Sequence, residues 1–512
     1  MISNIKTISL NGIDGNLVEV QTDITGGLPS FEIVGLPDTS VKESKERIKS
    51  AIKNSNIEFP SRRIIINLAP ASTKKEGTSY DLPIAIGILS ALKEVENTSL
   101  ENTLFIGELS LDGKINRING VLPMCIEAMN LGIKKVILPK ANEIEAAVVA
   151  NLEIIGVRNL KEVVNYLNKN INIEKTKIDI VKIFNKKGRD NDDFSEVKGQ
   201  ENVKRALEIA AAGGHNCILI GPPGAGKTMI AKRIPTILPD LTFEEALEVT
   251  KIHSISGILD NDVGIVTTRP FRSPHHTISP TSMIGGGKIP KPGEISLAHN
   301  GVLFLDELPE FNRVTLEVLR GPVEDKNVTI SRLYSRVEYP SNFMLIASMN
   351  PCPCGYYGSD EKECKCSKQA IERYLNKISG PLLDRIDLHV EVKPVKYQKL
   401  NSKDKVETSN QIKERVNKAR RIQYLRYKNL DIYSNAELTS KMIEKYCTID
   451  EECKKILELA FNKLGLSARA YSRILKVART IADLDGKENI EKEHLLESIQ
   501  YRSLDRKYGD KF

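Results

Sequence analysis

The residue types best suited to chemistry form a phosphate-binding loop of the G-x-x-x-x-G-K-T type in the middle of the 512-residue chain. The glycines of this pattern let backbone N–H groups turn toward a polyphosphate. Lys227 is expected to contact the β- and γ-phosphates, and the Thr228 hydroxyl is expected to bind Mg²⁺. The loop therefore predicts a nucleoside triphosphate and Mg²⁺ as ligands. Its members are Gly221, Pro222, Pro223, Gly224, Ala225, Gly226, Lys227 and Thr228.

Two acidic residues are the second chemical signal, because they directly follow a short apolar run at residues 301–305. Asp306 is expected to hold the Mg²⁺ shell together with Thr228, and Glu307 to polarise the attacking water. The alternative is a buried strand that ends in two surface acids by chance. The phosphate-binding loop elsewhere in the chain favours the catalytic interpretation.

Four of the eight cysteines fall within fifteen positions as two C-x-C pairs. Thiolates at this density suit a tetrahedral Zn²⁺ site, although C-x-x-C is the commoner pair. Ordinary reduced thiols in a loop are the alternative, and metal analysis of the purified protein decides between the two. The candidate zinc ligands are Cys352, Cys354, Cys364 and Cys366.

The segments around the loop have the apolar patterns needed to position it. Residues 217–220 predict a buried parallel strand, and residues 229–234 predict a helix that ends or kinks at Pro235. Another apolar run, residues 343–348, predicts a strand that ends near Asn350. A polar side chain at that strand tip is expected close to the γ-phosphate, where it would help to place the water.

The composition is that of an ordinary globular chain, with 40% hydrophobic and 28% charged residues. No apolar run reaches the length of a membrane span, and eight cysteines in so long a chain do not indicate a disulfide scaffold. The N-terminus lacks the layout of a signal peptide, so we expect a cytoplasmic protein without a membrane partner. The net charge of +7 is modest, yet residues 393–428 hold twelve Lys/Arg against three Asp/Glu.

The length predicts several domains, and the patterns divide the chain into four parts. We expect a multidomain α/β protein. Its parts are an α+β domain at residues 1–168, a linker or short edge strand at 169–192, a nucleotide-binding core at 193–395, and a basic helix with a helical lid at 396–512.

The predicted N-terminal domain resembles the catalytic domain of Lon proteases. The motifs that carry the resemblance, in the same order as in that family, are K-E-G-T-S at 75–79, I-G-E-L-S at 106–110, G-V-L-P at 120–123 and G-I-K-K-V-I-L-P at 132–139. The resemblance places Ser79 where that family keeps its nucleophile. The family's catalytic lysine would fall near Met124, whose thioether cannot take a proton. We therefore expect a structural or partner-binding domain without the catalytic dyad.

The whole chain resembles the YifB/ComM family, AAA+ ATPases similar to magnesium-chelatase subunit I. The motifs F-R-S-P-H-H-T at 271–277 and N-P-C-P-C-G at 350–355 carry this resemblance, which runs essentially end to end. It implies an AAA+ P-loop core with a parallel sheet, a Lon-like N-terminal domain and a helical C-terminal lid. It also implies ATP and Mg²⁺ as cofactors and a homo-hexameric ring.

The resemblance further implies roles for three side chains. Asn350 matches the sensor-1 position. Arg385 matches an arginine finger, which would reach the γ-phosphate of a neighbouring subunit. Arg469 fits the sensor-2 role in the lid, with Arg473 as the fallback and solvated helix arginines as the alternative. With Glu307, these are the predicted catalytic residues.

Two regions rich in cations are candidate contacts to DNA. Residues 284–293 combine Gly, Pro and Lys, as loops that approach a polyanion do. Residues 328–339 alternate like a hairpin, and in this branch of AAA+ proteins such hairpins project into the ring pore; arginines on a solvent-facing edge strand are the alternative. The helix expected at 410–428 is either a solvated face or a nucleic-acid contact. The candidate DNA contacts are Lys288, Lys291, Arg332 and Arg336.

Two functions from different classes are compatible with these observations. The first is an ATP-hydrolysing ring motor on branched or single-stranded DNA, for which the resemblance implies a branch-migration helicase used in recombination and natural transformation. The second is a chelatase-like remodeller of proteins whose ATP turnover ignores DNA. Basic loops favour the first, and the Lon-like domain leaves room for the second. The ATPase rate with and without branched DNA distinguishes them.

Overall fold

A computed structural model of the chain describes residues 2–96, 100–185, 192–287, 290–332, 335–358, 362–395, 406–430 and 432–502. The chain forms two compact units. The N-terminal unit comprises Met1–Lys187 and Ala246–Thr267, and the C-terminal unit comprises Gly188–Glu245 and Thr268–Phe512. Ala246–Thr267, which lies inside the core expected at residues 193–395, therefore groups with the N-terminal unit.

The N-terminal unit is built on a mixed seven-stranded sheet. Its first two strands form a long antiparallel hairpin in which Ile5 pairs with Val20. Both side chains are buried, because alternate residues of each strand face the core. In sheet order the strands are Ser30–Val34, Arg63–Ala69, Asp14–Thr25, Ile2–Asn11, Thr103–Phe105, Lys135–Pro139 and Glu153–Val157.

Helices complete the core of this unit. The helix Asp81–Ala91 is buried along its whole length, as its uniformly apolar sequence requires. The helix Thr39–Asn54 buries one stripe, which includes Val41 and Ile48. The other helices that lie wholly within the unit are Val121–Asn130, Glu143–Ala146, Leu160–Leu167 and Ile180–Asn185, and a short strand pair joins Glu108–Leu109 to Ile115–Asn116.

The C-terminal unit contains a five-stranded sheet whose neighbouring strands are all parallel. In sheet order the strands are Phe271–Arg272, Val302–Leu305, Met344–Met349, Cys217–Ile220 and Leu388–Glu391. The three inner strands are fully buried, as expected for a parallel sheet covered on both faces. Parallel strands bring their carboxyl ends to one edge, so the segments that carry Lys227, Asp306 and Asn350 all begin there.

A helical region follows this sheet. The helix Ala468–Leu484 contributes Val477 to the core around the sheet and Ile474 to a second core formed by the C-terminal helices. The predicted class, a multidomain α/β protein with a parallel P-loop core, an α+β N-terminal part and a helical C-terminal part, is confirmed. The principal helices that lie wholly in the C-terminal unit are Glu201–Gly213, Lys227–Lys232, Lys368–Leu375, Ser409–Arg426, Ser440–Tyr446, Glu451–Leu464, Ala468–Leu484 and Lys492–Gln500. The helix Phe243–Ser256 begins in this unit, and most of it belongs to the segment Ala246–Thr267.

The basic helix Ser409–Arg426 buries an apolar stripe, and several of its cations are paired within the C-terminal unit. Arg426 binds both carboxylate oxygens of Asp483, at 2.9 and 2.6 Å. Arg415 pairs with two glutamates. Burial lowers the pKa of Arg420 to about 10. The positive charge of this helix is therefore largely used in packing the unit together. Across the described residues, no helix combines the length and apolar character needed to cross a bilayer.

Candidate functional site

The phosphate-binding loop connects the strand Cys217–Ile220 to the helix Lys227–Lys232. Gly224 and Gly226 have φ values of 78° and 85°, a left-handed backbone that glycine adopts without steric cost. The Gly221 amide donates to the Met349 carbonyl at 3.2 Å and so ties the loop to the neighbouring strand. The strand, loop and helix context that the motif requires is present.

The Lys227 side chain is buried and surrounded by oxygen acceptors. Its Nζ donates to the carbonyls of Gly221 at 2.7 Å and Pro222 at 2.9 Å, and to Asn350 Oδ1 at 3.1 Å. Burial lowers the pKa of Lys227, while the charges of Asp306 and Glu307 oppose that shift. An ammonium held in such a cradle is suited to contact phosphate oxygens.

Asp306 collects three donors at the edge of the sheet. Thr228 Oγ1 donates to Asp306 Oδ2 at 2.6 Å, and the Glu307 amide donates to Oδ1 at 3.1 Å. The Ser348 hydroxyl also donates to Oδ1. Carboxylate and hydroxyl oxygens are the hard ligands that Mg²⁺ prefers, so Thr228 and Asp306 fit the predicted ion. Sequence reasoning missed Ser348, whose only signal was a polar residue near the tip of an apolar strand.

Glu307 follows Asp306 with a φ of 55°, which is uncommon for a residue other than glycine. Such strained backbone is found disproportionately at functional sites. The Glu307 carboxylate is exposed, and His276 Nδ1 lies 3.7 Å from its Oε2. The backbone therefore presents this carboxylate to solvent beside the loop.

These groups line one cleft of about 430 Å³, a volume typical of sites for small ligands. The cleft brings together the phosphate-binding loop, the two acids and the carboxyl end of the strand Met344–Met349. Its lining residues are Pro223, Gly224, Ala225, Gly226, Lys227, Thr228, Met229, Asp306, Glu307, Ser348, Met349 and Asn350. We call it the nucleotide cleft.

Arg385 does not line the nucleotide cleft of its own chain. Its guanidinium donates to the Pro381 carbonyl at 2.8 Å and pairs with Glu324, which the sequence had not singled out. The Arg385 side chain is 11% exposed, whereas that of Glu324 is 58% exposed. The structure thus holds a mostly buried Arg385 in an ion pair with an accessible carboxylate.

Arg469 and Arg473 lie on the helix Ala468–Leu484 but do not line the nucleotide cleft. Arg469 is exposed in the first turn. Arg473 pairs with the buried Asp387, two residues after Arg385. Burial acts to raise the pKa of Asp387, but Arg473 and the nearby His215, whose Nδ1 lies 3.5 Å from Asp387 Oδ2, outweigh it and hold that pKa well below its usual range. Arg473 is therefore used to anchor the segment that carries Arg385.

The four candidate zinc ligands converge at one place. Their Sγ atoms all lie within 4.8 Å of one another. The separations are 3.4 Å between Cys352 and Cys354, and 3.6 Å from Cys364 to each of those two. Four thiolates about 2.3 Å from a tetrahedral Zn²⁺ would be about 3.8 Å apart, so the cluster fits that ion. We call these four residues the cysteine knuckle.

The candidate DNA contacts are only partly described. Arg336 lies on the second strand of the hairpin formed by Asn327–Arg332 and Ser335–Pro340; its side chain is 72% exposed and donates to Glu338 at 2.9 Å. Lys291 is exposed on a short two-stranded ladder. Lys288 and the Arg332 side chain lie outside the described residues.

The segment around Ser79 is organised differently from the nucleotide cleft. Ser79 is buried, and its carbonyl accepts from the Gly107 amide at 3.1 Å. The buried Lys75 donates to backbone carbonyls, including that of Thr73 at 2.8 Å. Asp81 binds Arg47 through two bonds of 2.8 and 3.1 Å. The charged neighbours of Ser79 therefore hold loops and a helix in place.

The parallel sheet, the phosphate-binding loop and the paired acids at one strand edge define an AAA+ ATPase with a P-loop core. Comparison with known families agrees. The model described as magnesium chelatase, subunit ChlI, matches residues 193–400, that of subunit ChlI of Mg-chelatase matches 20–142, and that of the ChlI C-terminal part matches 406–502. The family implies ATP and Mg²⁺ as cofactors.

Individual relatives narrow the assignment. Competence protein ComM of Haemophilus influenzae is 44% identical over 499 residues, covering 97% of this chain and 96% of the relative. YifB of Escherichia coli is 44% identical over 508 residues, covering 99% and 98%. The chain belongs to the YifB/ComM family. Lon protease 2 of Bacillus subtilis is 28% identical over 170 residues, 30% of each chain, in keeping with the Lon-like part of the fold.

Proposed function

We propose that this AAA+ ATPase assembles as a homo-hexameric ring that moves on branched or single-stranded DNA, as a branch-migration helicase in recombination and natural transformation. The similarity to a protein named for competence supports the biological setting. The domain division at residues 168, 192 and 395, with a Lon-like domain that lacks a catalytic dyad, is part of this proposal.

The position of Arg385 is the observation that most directly supports the proposed ring-shaped oligomer. Among the residues that line the nucleotide cleft, Lys227 is the cation, whereas Arg385 of the same chain pairs with Glu324. Stabilising the charge of phosphoryl transfer calls for a second cation at the γ-phosphate, and an arginine supplied by a neighbouring subunit is a common source. We propose that Arg385 serves the cleft of the adjacent copy.

The residues of the cleft take distinct roles in this proposal. Lys227 and the loop amides hold the triphosphate, and Thr228 with Asp306 would hold Mg²⁺, which neutralises phosphate charge when bound. The Glu307 carboxylate orients and polarises the attacking water, and the Asn350 amide helps to place that water. Arg469 is proposed to approach the nucleotide from the lid.

DNA is proposed to contact the projecting hairpin and the short ladder. Arg336 and Lys291 are exposed there, as contacts to a phosphate backbone require. Lys288 and Arg332 are included from the sequence. The paired cations of Ser409–Arg426 are a poorer candidate, because Arg415 and Arg426 already bind acids within the unit.

The decisive measurement is the ATPase rate with and without a four-way DNA junction. We expect stimulation by the junction and strand displacement that is lost in Glu307→Gln. Binding should weaken steeply with salt, because phosphate contacts release counterions. A rate indifferent to DNA, with a flat salt response, would favour the protein-remodelling alternative.

The ring is tested by mixing two inactive variants. Lys227→Ala removes the phosphate contact and Arg385→Ala removes the finger, so each protein alone should be inactive. In a mixed ring, some interfaces join the intact phosphate-binding loop of an Arg385→Ala subunit to the intact Arg385 of a Lys227→Ala subunit. These interfaces should hydrolyse ATP, so the mixture should recover activity. Mixtures that stay inactive while forming mixed rings would show that Arg385 does not act between subunits.

We also propose that the cysteine knuckle binds one Zn²⁺. The support is the convergence of four thiols at separations suited to tetrahedral coordination. Metal analysis should find about one zinc per chain, and Cys364→Ser with Cys366→Ser should remove it. A folded protein purified without metal would end this proposal.

A further inference from the structure

The cysteine knuckle is attached directly to the nucleotide cleft. The first ligand, Cys352, lies two positions after Asn350. Asn350 directly follows the strand Met344–Met349, and its Oδ1 accepts from Lys227 Nζ at 3.1 Å. Cys352 is fully buried, and its Sγ accepts from the Tyr357 amide at 3.3 Å. A displacement of this thiol would therefore act on backbone two residues away from a side chain that contacts the phosphate-binding lysine.

A second contact joins the knuckle to the phosphate-binding loop itself. Gly355 lies between the two pairs of ligands and has a φ of 85°. A Cβ placed on Gly355 would lie 2.5 Å from Pro223 Cδ and 3.2 Å from Pro223 Cγ. The backbone of the knuckle thus packs against the third residue of the loop at a distance that only glycine permits.

The far end of the knuckle returns to the same place. The helix Lys368–Leu375 begins two residues after the last ligand, Cys366. Burial raises the pKa of its Tyr374, and the nearby backbone of Asn350 opposes that rise. The chain on both sides of the knuckle therefore lies near Asn350, and Gly355 in its middle packs against Pro223. A Zn²⁺ ion coordinated by all four cysteine thiolates would keep the knuckle in the conformation that makes these contacts.

From these observations we infer that the cysteine knuckle is a positioning element for the nucleotide cleft, and that Zn²⁺ bound there is required for full nucleotide affinity. The inference rests on the proposed nucleotide site and extends it, because it assigns control of that site to a metal that does not touch the nucleotide. The ion would act through Asn350 and Pro223, and removing it would weaken binding before it unfolded the domain.

The first test measures the affinity of the full chain for a fluorescent ATP analogue in the Glu307→Gln background, so that hydrolysis does not intervene. Zinc is stripped with a thiol-displacing reagent and a chelator, and the protein is returned to Mg²⁺ buffer. We expect about tenfold weaker binding, restored by adding zinc but not by adding more Mg²⁺. Circular dichroism and zinc content are measured on the same samples.

The second test perturbs the contact without touching the ligands. Gly355→Ala places a methyl group against Pro223 and should weaken nucleotide binding about tenfold while zinc content stays the same. Gly465→Ala is the matched control, because Gly465 also has a positive φ, 64°, but would place its Cβ in open space. The control should bind nucleotide like the parent protein.

The outcomes separate the two ideas. Failure of the parent protein to bind any nucleotide refutes the proposed function. Normal binding by zinc-free protein, or by Gly355→Ala with its zinc in place, overturns the inference alone, as does a parent protein that binds nucleotide without containing zinc. Where stripping zinc unfolds the protein, Gly355→Ala decides the question.

Discussion

Two regions of this molecule resemble the active sites of enzymes, and only one of them brings its polar groups together. In the nucleotide cleft, Lys227 reaches Asn350 at 3.1 Å and Thr228 reaches Asp306 at 2.6 Å, across segments far apart in sequence. In the N-terminal unit, Ser79 is buried, and Lys75, four positions earlier in the sequence, is bound to backbone carbonyls. The position at which the resemblance puts a catalytic lysine is the buried Met124.

The difference shows that a sequence motif indicates catalysis only where the fold places its side chains together in one accessible cleft. The cleft keeps an open volume of about 430 Å³ lined by the motif residues. Near Ser79 in the sequence, Lys75 is bound by backbone carbonyls and Asp81 by Arg47, as buried polar groups in a structural role are. The following predictions test this contrast in order of expected effect.

The largest effect is expected from Lys227→Ala. Removing the ammonium from the phosphate-binding loop should lower the ATPase rate by about a hundredfold or more, because a preorganised charge at the phosphates is lost. Lys232→Ala on the same helix is the control, since Lys232 is exposed and does not line the cleft. Equal ATPase rates in Lys227→Ala and Lys232→Ala would show that the nucleotide cleft is not the catalytic site, and the contrast with the Ser79 region would be lost.

Arg473→Ala is expected to destabilise the C-terminal unit by about 3 kcal/mol, because it leaves the Asp387 carboxylate buried with one partner fewer. Arg469→Ala, on the exposed face of the same helix, should change the free energy of unfolding by less than about 0.5 kcal/mol. Urea unfolding of both variants measures this. A larger loss of stability in Arg469→Ala than in Arg473→Ala would contradict the assignment of Arg473 as the stabilising partner of Asp387.

The free energies of unfolding of the two units should change in opposite directions as the pH falls. Burial raises the pKa of Asp81 to about 6, so the folded N-terminal unit keeps a proton that the unfolded chain loses near pH 4. Its free energy of unfolding should therefore fall by up to about 3 kcal/mol as the pH rises from 4 to 6. The lowered pKa of Asp387 gives stability that is present above pH 4 and lost below it.

Hydrogen exchange measures this contrast between the units. Amides of Asp81–Ala91 should be better protected at pH 5 than at pH 7 after correction for intrinsic rates, while those of Leu388–Glu391 should be unchanged. Asp81→Asn should abolish the difference. Equal pH responses of the two elements would contradict the assigned pKa shifts.

The smallest effect is expected from Ser79→Ala. ATPase activity should be unchanged, and casein should not be cleaved by either protein in the presence of ATP, because no lysine base is expected beside this serine. ATP-dependent cleavage that disappears in Ser79→Ala would break the comparison, since it would show that the N-terminal region also assembles a catalytic pair.

Much of this protein could be predicted from local sequence. The apolar runs at 217–220, 301–305 and 343–348 predict the three inner strands, because a parallel strand buried on both faces must be apolar throughout. The spacing of Gly, Lys and Thr in the phosphate-binding loop likewise predicts a nucleoside triphosphate and Mg²⁺ as ligands. Each of these signals lies within a few residues, so no knowledge of tertiary contacts is needed to find it.

Other features depend on contacts between distant segments, and only the tertiary structure decides them. Ser348 meets Asp306, Arg385 meets Glu324, and Gly355 meets Pro223. The grouping of Ala246–Thr267 with the N-terminal unit belongs to the same class. A chain's own pattern records which residues are apolar, charged or flexible. It does not record which of them share a space, because that is set by the order in which the strands pack.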